Sequence, residues 1–284
     1  MTKSKRTALQ AVPLWVWLLI FTLVPLALIL FFAIFERTAD GYRFTLDYLR
    51  EVITNTDYLR SMLISFRHAF VSTLVCLLIG YPLAYFLTKM KPKARSFLVV
   101  LCLLPMWMNF LIRTYALRSL IERESLIDRF LVMLGLESGT LIGTDISIVI
   151  GMVYNFLPFL VLPIYTSLSK IDRGVIEASH DLGAGGFTTF RRVIFPLSVP
   201  GVISGITMVF MPAVTTFIIP QLLNNHVMTV GSLIEHKFKQ EVSASAVSGT
   251  GAALSFVLMV LIIICMSVVN RMDKDPESNG GAAL

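Results

Sequence analysis

Six stretches of this chain carry no Asp, Glu, Lys, Arg or His: residues 7–35, 69–88, 96–112, 146–169, 197–221 and 242–269. A helix needs about 20 apolar residues to cross a bilayer core, within a range of roughly 17–25. In hydrocarbon the backbone must satisfy its own hydrogen bonds, which favours helices for runs of this length. The pattern predicts an all-α integral membrane protein with six transmembrane helices. The run 96–112 is the shortest and is expected to extend toward Leu120, with Arg113 and Arg118 near the interface. A charged fraction of 15% and a mean hydropathy of +0.77 exclude one or two soluble domains.

The first run follows Lys3, Lys5 and Arg6, as a signal peptide would. It is too long for a secretory apolar region of about 7–15 residues, so it is expected to stay as an anchor. The net charge of +6 is read as topology rather than as a nucleic-acid surface. With the N-terminus in the cytoplasm, the inner segments hold Lys3, Lys5, Arg6, Lys89, Lys91, Lys93, Arg95, Lys170, Arg173, Arg191, Arg192, Arg271 and Lys274. These are more than half of the 24 basic residues, in the shorter loops, as the positive-inside rule requires. Six spans return the C-terminus to the cytoplasm. Cys76, Cys102 and Cys265 fall inside spans and read as small packing residues. His68, His180, His226 and His236 show no ligand spacing, so neither a metal nor another cofactor is expected. Pro82, Pro105, Pro158, Pro163, Pro200 and Pro212 sit within spans, which favours a bundle that bends or lines a cavity.

The outer segments are 36–67, 113–145 and 222–241. The first reads as a short helix with loops. In the second, "IERESLIDRFLVMLGLESG" places Leu126, Phe130, Met133 and Leu134 at helical spacing, as a helix along the outer surface. The long inner insert is 170–196. Ser169 or Asp172 can cap a helix there. Ile171, Val175, Ala178 and Leu182 form one apolar stripe, with Glu177 and Asp181 beside it. Gly183 suits a left-handed position after the helix, and "FTTFRRVIF" suits a second short helix before Pro196 returns the chain to the membrane. An apolar stripe needs a cover, which is lipid, the chain's own bundle, or the groove of a cytosolic partner.

The residues of this insert, "EASHDLGAGGFTTFRRVIFPL", resemble the EAA loop of ABC-importer permeases. The family pattern is Glu-Ala-Ala, three residues, Gly, nine residues, then Ile-x-Leu-Pro. Glu177, Ala178, Gly183 and Pro196 match it. Ser179 stands for the second Ala, Val193 for Ile and Phe195 for Leu, each keeping a small or apolar residue. The resemblance implies a type I (MetI-like) ABC-importer transmembrane domain, in which this loop carries a coupling helix seated in an ATPase cleft. It points to Glu177, Ala178, Ser179, Gly183, Arg191 and Pro196 as the coupling set. The implied divisions are a cytoplasmic tail at 1–12, a first span at 13–35, a five-helix core at 66–270 with its coupling loop at 170–196, and a cytoplasmic tail at 271–284. The chain has no G-x-x-x-x-G-K-[ST], so ATP hydrolysis is expected in a separate subunit.

Three further stretches, "YLRSMLISFRHAFVSTLVCLLIGYPLAYFLTK", "LPMWMNFLIRTYALRSLI" and "GMVYNFLPFLVLPIYTSLSKID", are similar to PotB-type permeases of spermidine/putrescine importers. That resemblance implies a multi-pass cell-membrane subunit. Its implied partners are a PotC-type permease, two PotA-type ATPases and a PotD-type extracytoplasmic binding protein. With no ionisable group inside the spans, a polycation would need aromatic faces, carbonyls and amides from this chain. Trp107, Leu111 and Tyr115 are expected on one face of the third span, with Tyr154, Asn155 and Phe156 in the equivalent part of the fourth. Asn109 and Asn155 are costly to leave in lipid and are expected in a cavity or a helix interface. The aromatics equally suit a lipid-facing belt. Glu122, Glu124 and Asp128 suit either an acidic outer vestibule or a solvated face. Rival readings keep the machine with iron, phosphonate, sulfate or another solute as cargo, or make the chain a membrane scaffold. A membrane enzyme would need buried acid or Ser–His clusters, and the spans show none.

Overall fold

The computed structural model of the chain describes residues 12–38, 41–135, 141–244 and 249–272. In chain order the elements are α1 (Val12–Ile34), a hairpin of β1 (Phe35–Thr38) and β2 (Gly41–Phe44), α2 (Asp47–Thr54), α3 (Thr56–Lys89), α4 (Pro92–Trp107), α5 (Phe110–Ile121) and α6 (Leu126–Met133). Then come α7 (Asp145–Ser169), α8 (Arg173–Asp181), α9 (Gly186–Thr215), α10 (Ile218–Leu223), α11 (Val230–Ala244) and α12 (Thr250–Met272). Five of these, α1, α3, α7, α9 and α12, are long and apolar enough to cross a bilayer. Pro92–Trp107 and Phe110–Phe130, which meet at 98°, are apolar enough together to make a sixth, broken span.

The described residues form two compact units. One comprises the described parts of Met1–Arg60 and Leu233–Ile262. Its centre holds Ala33, Val52, Ala252, Ala253 and Leu254, all buried. There the Glu51 carboxylate accepts from Tyr58 Oη at 3.1 Å and Thr250 Oγ1 at 3.4 Å, tying α2 to the starts of α3 and α12. The other unit comprises the described parts of Ser61–Ser232 and Ile263–Leu284. Its spine is α7, where Ile148, Met152, Phe156, Leu160 and Ile164 recur every four residues and are all buried. Helix α9 packs on that spine at backbone distance. A Cβ on Gly201 would stand 2.7 Å from the Pro163 carbonyl oxygen, and one on Gly205 would stand 3.0 Å from that of Leu160. Small residues one turn apart are how membrane helices approach where lipid supplies no hydrophobic drive.

Four expectations need correcting. The third span does not run on from 96–112 toward Leu120. Its first helix stops at Trp107, where Met108 turns extended and Asn109 caps a new helix in another direction. The second helix of the inner insert is not short or separate: Gly186–Thr215 is continuous, with a π-helical stretch at Phe190–Ile194. Pro196 therefore lies in the first turn of the α-helical part, within one continuous helix. The last span begins at Thr250, not Val242, since 242–244 end α11. The first outer segment holds a hairpin, Phe35 opposite Phe44 and Thr38 opposite Gly41, beside its helices. Apart from Val12 and the helical backbone of Arg271 and Met272, the expected tails lie outside the described residues. Lys3, Lys5, Arg6, Lys274 and residues 136–140 lie outside them too.

Candidate functional site

Two features of the second unit carry chemistry: the inner insert and a polar cluster at the broken span. The insert starts where α7 ends. Asp172 caps α8, its Oδ1 accepting from Gly174 N at 2.9 Å. At the other end Gly183 has φ +82°, its N–H donates to His180 O at 2.8 Å, and Ala184 N donates to Ser179 O at 3.0 Å. This pair of bonds is a Schellman cap, which needs a left-handed residue in the glycine's place.

The apolar stripe is not covered within this unit. Val175 and Ala178 are exposed, and Leu182 is 89% exposed. Phe187, at the start of α9, is 77% exposed. Glu177 and Arg191 are exposed beside this face. The inward side of α8 is polar. Ser179 is buried, donates to Ile176 O at 2.8 Å and shares a hydrogen bond of 2.9 Å with Thr189 Oγ1 on α9. The residue that departs from the Glu-Ala-Ala pattern thus fastens one arm of the insert to the other. Next to Thr189, the Phe190 ring meets Tyr81 at 5.9 Å and Tyr85 at 5.6 Å on α3, and Tyr81 Oη bonds Ser198 Oγ at 2.9 Å. These contacts join α8 to α9 and α9 to α3. Sequence reasoning missed Thr189, whose partner Ser179 lies ten residues away across the turn of the insert, and Phe190 and Tyr81, which meet across about 100 residues of chain.

The proposed path residues separate. Trp107, 83% exposed, ends α4, while Tyr115 is exposed on α5 beyond the 98° break, so Trp107, Leu111 and Tyr115 do not share a helix face. Asn109 is exposed and caps α5, accepting from Leu111 N at 2.9 Å and Ile112 N at 3.4 Å. Asn155 is fully buried and Phe156 is buried, the latter stacked on Phe110 at 6.5 Å. Tyr154 keeps an exposed face.

Arg113, which borders an uncharged run, packs inside this unit. It is 4% exposed, and Asn155 is its partner on α7. Nε donates to Asn155 Oδ1 at 2.7 Å and Nη1 to Pro105 O at 2.7 Å. The guanidinium lies 5.9 Å from the Phe110 ring centre and 6.0 Å from that of Tyr154. Asn155 in turn donates to Gly151 O at 2.8 Å and Thr114 Oγ1 at 3.4 Å. The signal was available: an asparagine deep in one uncharged run needs a polar partner, and Arg113 borders another run. Glu122 and Glu124 are exposed, while Asp128 is not. Asp128 is buried and accepts from Glu124 N at 2.8 Å, and Glu122 pairs with Arg118 at 3.6 Å. Asp145, whose side chain is 48% exposed, pairs with Arg67 and lies 3.3 Å from His68 Nε2.

Residues 77–277 match the family model described as binding-protein-dependent transport system inner membrane component. The chain is 36% identical over 266 residues to the spermidine/putrescine transport system permease protein PotB of Haemophilus influenzae, covering 91% of each. It is 32% identical over 267 residues to the PotB of Escherichia coli, covering 92% of this chain and 97% of that one. Its fold is similar to a chain of a bacterial ABC transporter involved in the import of the acidic polysaccharide alginate, with TM-score 0.73, 14% identity and 95% and 96% coverage. It is also similar to a chain of the MetNI methionine ABC transporter, with TM-score 0.58, 18% identity and coverage of 76% and 94%.

Proposed function

Because the chain belongs to the family of binding-protein-dependent transport system inner membrane components, we propose that it is the permease subunit of an ATP-driven importer of polyamines, spermidine or putrescine. The observation that carries the cargo is the similarity to PotB permeases across more than nine-tenths of the chain. The protein is a multi-pass component of the cell inner membrane and a transport subunit. It works with a second permease, an ATPase and a substrate-binding protein. In the finer reading these are a PotC-type permease, two PotA-type ATPase subunits and a PotD-type binding protein, and both termini of this chain face the cytoplasm.

The insert explains how a chain with no P-loop uses ATP. Val175, Ala178, Leu182 and Phe187 form an apolar face on a charged loop, and such a face is a docking surface for a cytosolic subunit. Movement of that subunit displaces α8. Ser179–Thr189 and the Phe190 ring cluster carry the displacement into α9 and α3, two membrane-crossing helices. Alternating access then follows from rigid-body rocking of the bundle against the second permease. Among the candidate path residues, Trp107, Tyr115 and Tyr154 keep aromatic faces exposed that an ammonium group could meet.

The test is uptake of labelled spermidine by cells lacking this gene, with and without its restoration, the other subunits being present in both. Uptake that returns only with the chain supports the proposal. No return, with the chain inserted and bound to its ATPase, removes polyamine as the cargo and turns attention to iron, phosphonate, sulfate or another small solute.

A further inference from the structure

A charged side chain within a membrane span is expensive and is kept where it does something. Arg113 lies against Asn155, ten residues into α7, which is about 15 Å along the helix and about half the thickness of a bilayer core. Its partners are an amide oxygen, a backbone carbonyl and two aromatic rings, and no carboxylate pairs with it among the described residues. Such a cation is held by neutral dipoles in fixed places, so its position is determined by them and theirs by it.

The three anchors sit on three helices. Pro105 is near the end of α4, Arg113 is in the first turn of α5 beyond the 98° break, and Asn155 is on α7. A guanidinium presents its donors in a rigid fork and so bridges two acceptors at once, whereas a lysine ammonium is a point charge on a flexible stem. We propose that Arg113 is a positioning residue for transport. It staples both halves of the broken span to α7, so that α4, α5 and α7 swing as one body and the exposed corner at Trp107 and Met108 keeps its place through the cycle. Without the fork, Asn155 Oδ1 and Pro105 O lose a buried donor and the break becomes a loose hinge. Asn155 supports the staple from the other side, because its own amide is oriented by Gly151 O.

This inference rests on the transport reading, and its test is chosen so that the two can fail separately. Nitroxide labels at positions 107 and 166, both exposed, report the distance between the corner and the far part of α7 in the purified, reconstituted complex. That readout does not depend on the cargo. The variants are Arg113→Ala, Arg113→Lys and Asn155→Ala, with Arg118→Ala as a control that removes the exposed pair on α5. Expected in Arg113→Ala is a broadened distance distribution, with maximal uptake per assembled complex falling about tenfold and KM changing less than about twofold, as loss of a buried charged hydrogen-bond hub implies. Arg113→Lys should fall between the two, Asn155→Ala should add little to Arg113→Ala in the double variant, and Arg118→Ala should match the parent. A narrow distribution with parental uptake per complex in Arg113→Lys and Asn155→Ala overturns the proposal, even where Arg113→Ala fails to assemble. Loss confined to the amount of complex, with the surviving complexes fully active, overturns it as well. Absence of spermidine uptake in the parent counts against the cargo alone and leaves the distance measurement to decide the staple.

Discussion

Replacing Gly183 separates the shape of the insert from its surface chemistry. The glycine holds φ +82°, and nothing lies within 4 Å of where its Cβ would be. Alanine therefore meets no steric obstacle, and its cost is conformational, about 1–2 kcal/mol for an L-residue in the left-handed region. That shifts the seated form of the loop against its alternatives by a factor of about 5–30. Proline is a different perturbation. Its ring fixes φ near −65°, far from +82°, and removes the N–H that donates to His180 O at 2.8 Å. It also disfavours the helical region for the residue before it, where Leu182 sits at φ −78° and ψ 8°. The Schellman cap cannot form, so α8 loses the turn that sets its angle to α9. The assay is uptake and binding-protein-stimulated ATP hydrolysis in reconstituted complexes, normalised to inserted chain. Gly183→Ala should retain a measurable part of both activities, and Gly183→Pro should abolish the stimulation while insertion is unchanged. Parental uptake in Gly183→Pro would refute the coupling role. Equal loss in the two variants would refute the conformational reasoning, since it would mean that any added atom at this exposed position is intolerable.

Other perturbations test neighbouring steps. Leu182→Asp and Phe187→Asp change two of the most exposed apolar groups of the insert, so they should leave insertion and thermal stability unchanged and weaken recovery of the ATPase with the purified permease; undiminished recovery would move the docking face elsewhere. Gly201→Val puts side-chain atoms against the Pro163 carbonyl and Ser167, and should lower the thermal midpoint by the equivalent of about 1–3 kcal/mol, read by thermal unfolding in detergent. Trp107→Ala should leave assembly intact, as its ring is exposed, and weaken spermidine transport by about 2- to 30-fold if the ring holds an ammonium by a cation–π contact of about 0.5–2 kcal/mol. Unchanged kinetics would assign Trp107 to the lipid-facing aromatics. A Cys at position 177 should react only with reagents applied from the cytoplasmic side, and labelling from outside intact cells would reverse the proposed topology.

The sequence by itself determined the class of the protein and the outline of its insert. Runs of 17 or more uncharged residues have one economical solution in a bilayer, and the chain takes it in α1, α3, α7, α9 and α12. The cap at Asp172 and the left-handed turn at Gly183 were legible because their signals are local: an acceptor two residues before a free N–H, and a residue without a Cβ. The third span was only half legible. Hydropathy along 96–120 is blind to direction, and the chain turns at Asn109 because that side chain satisfies two N–H groups of a new helix. Periodicity placed Val175, Ala178 and Leu182 on one face but could not say whether the rest of the bundle covers it. The tertiary structure decides that, by turning Ser179 inward to Thr189 and leaving the apolar side open. Tertiary structure also decided the fate of Arg113. In sequence it borders a run and belongs at an interface; in the fold α7 brings Asn155 to it across 42 residues, and a buried fork with matched acceptors is stable where a lone charge is not. Local chemistry fixes caps and turns, while burial is a property of what the rest of the chain brings alongside.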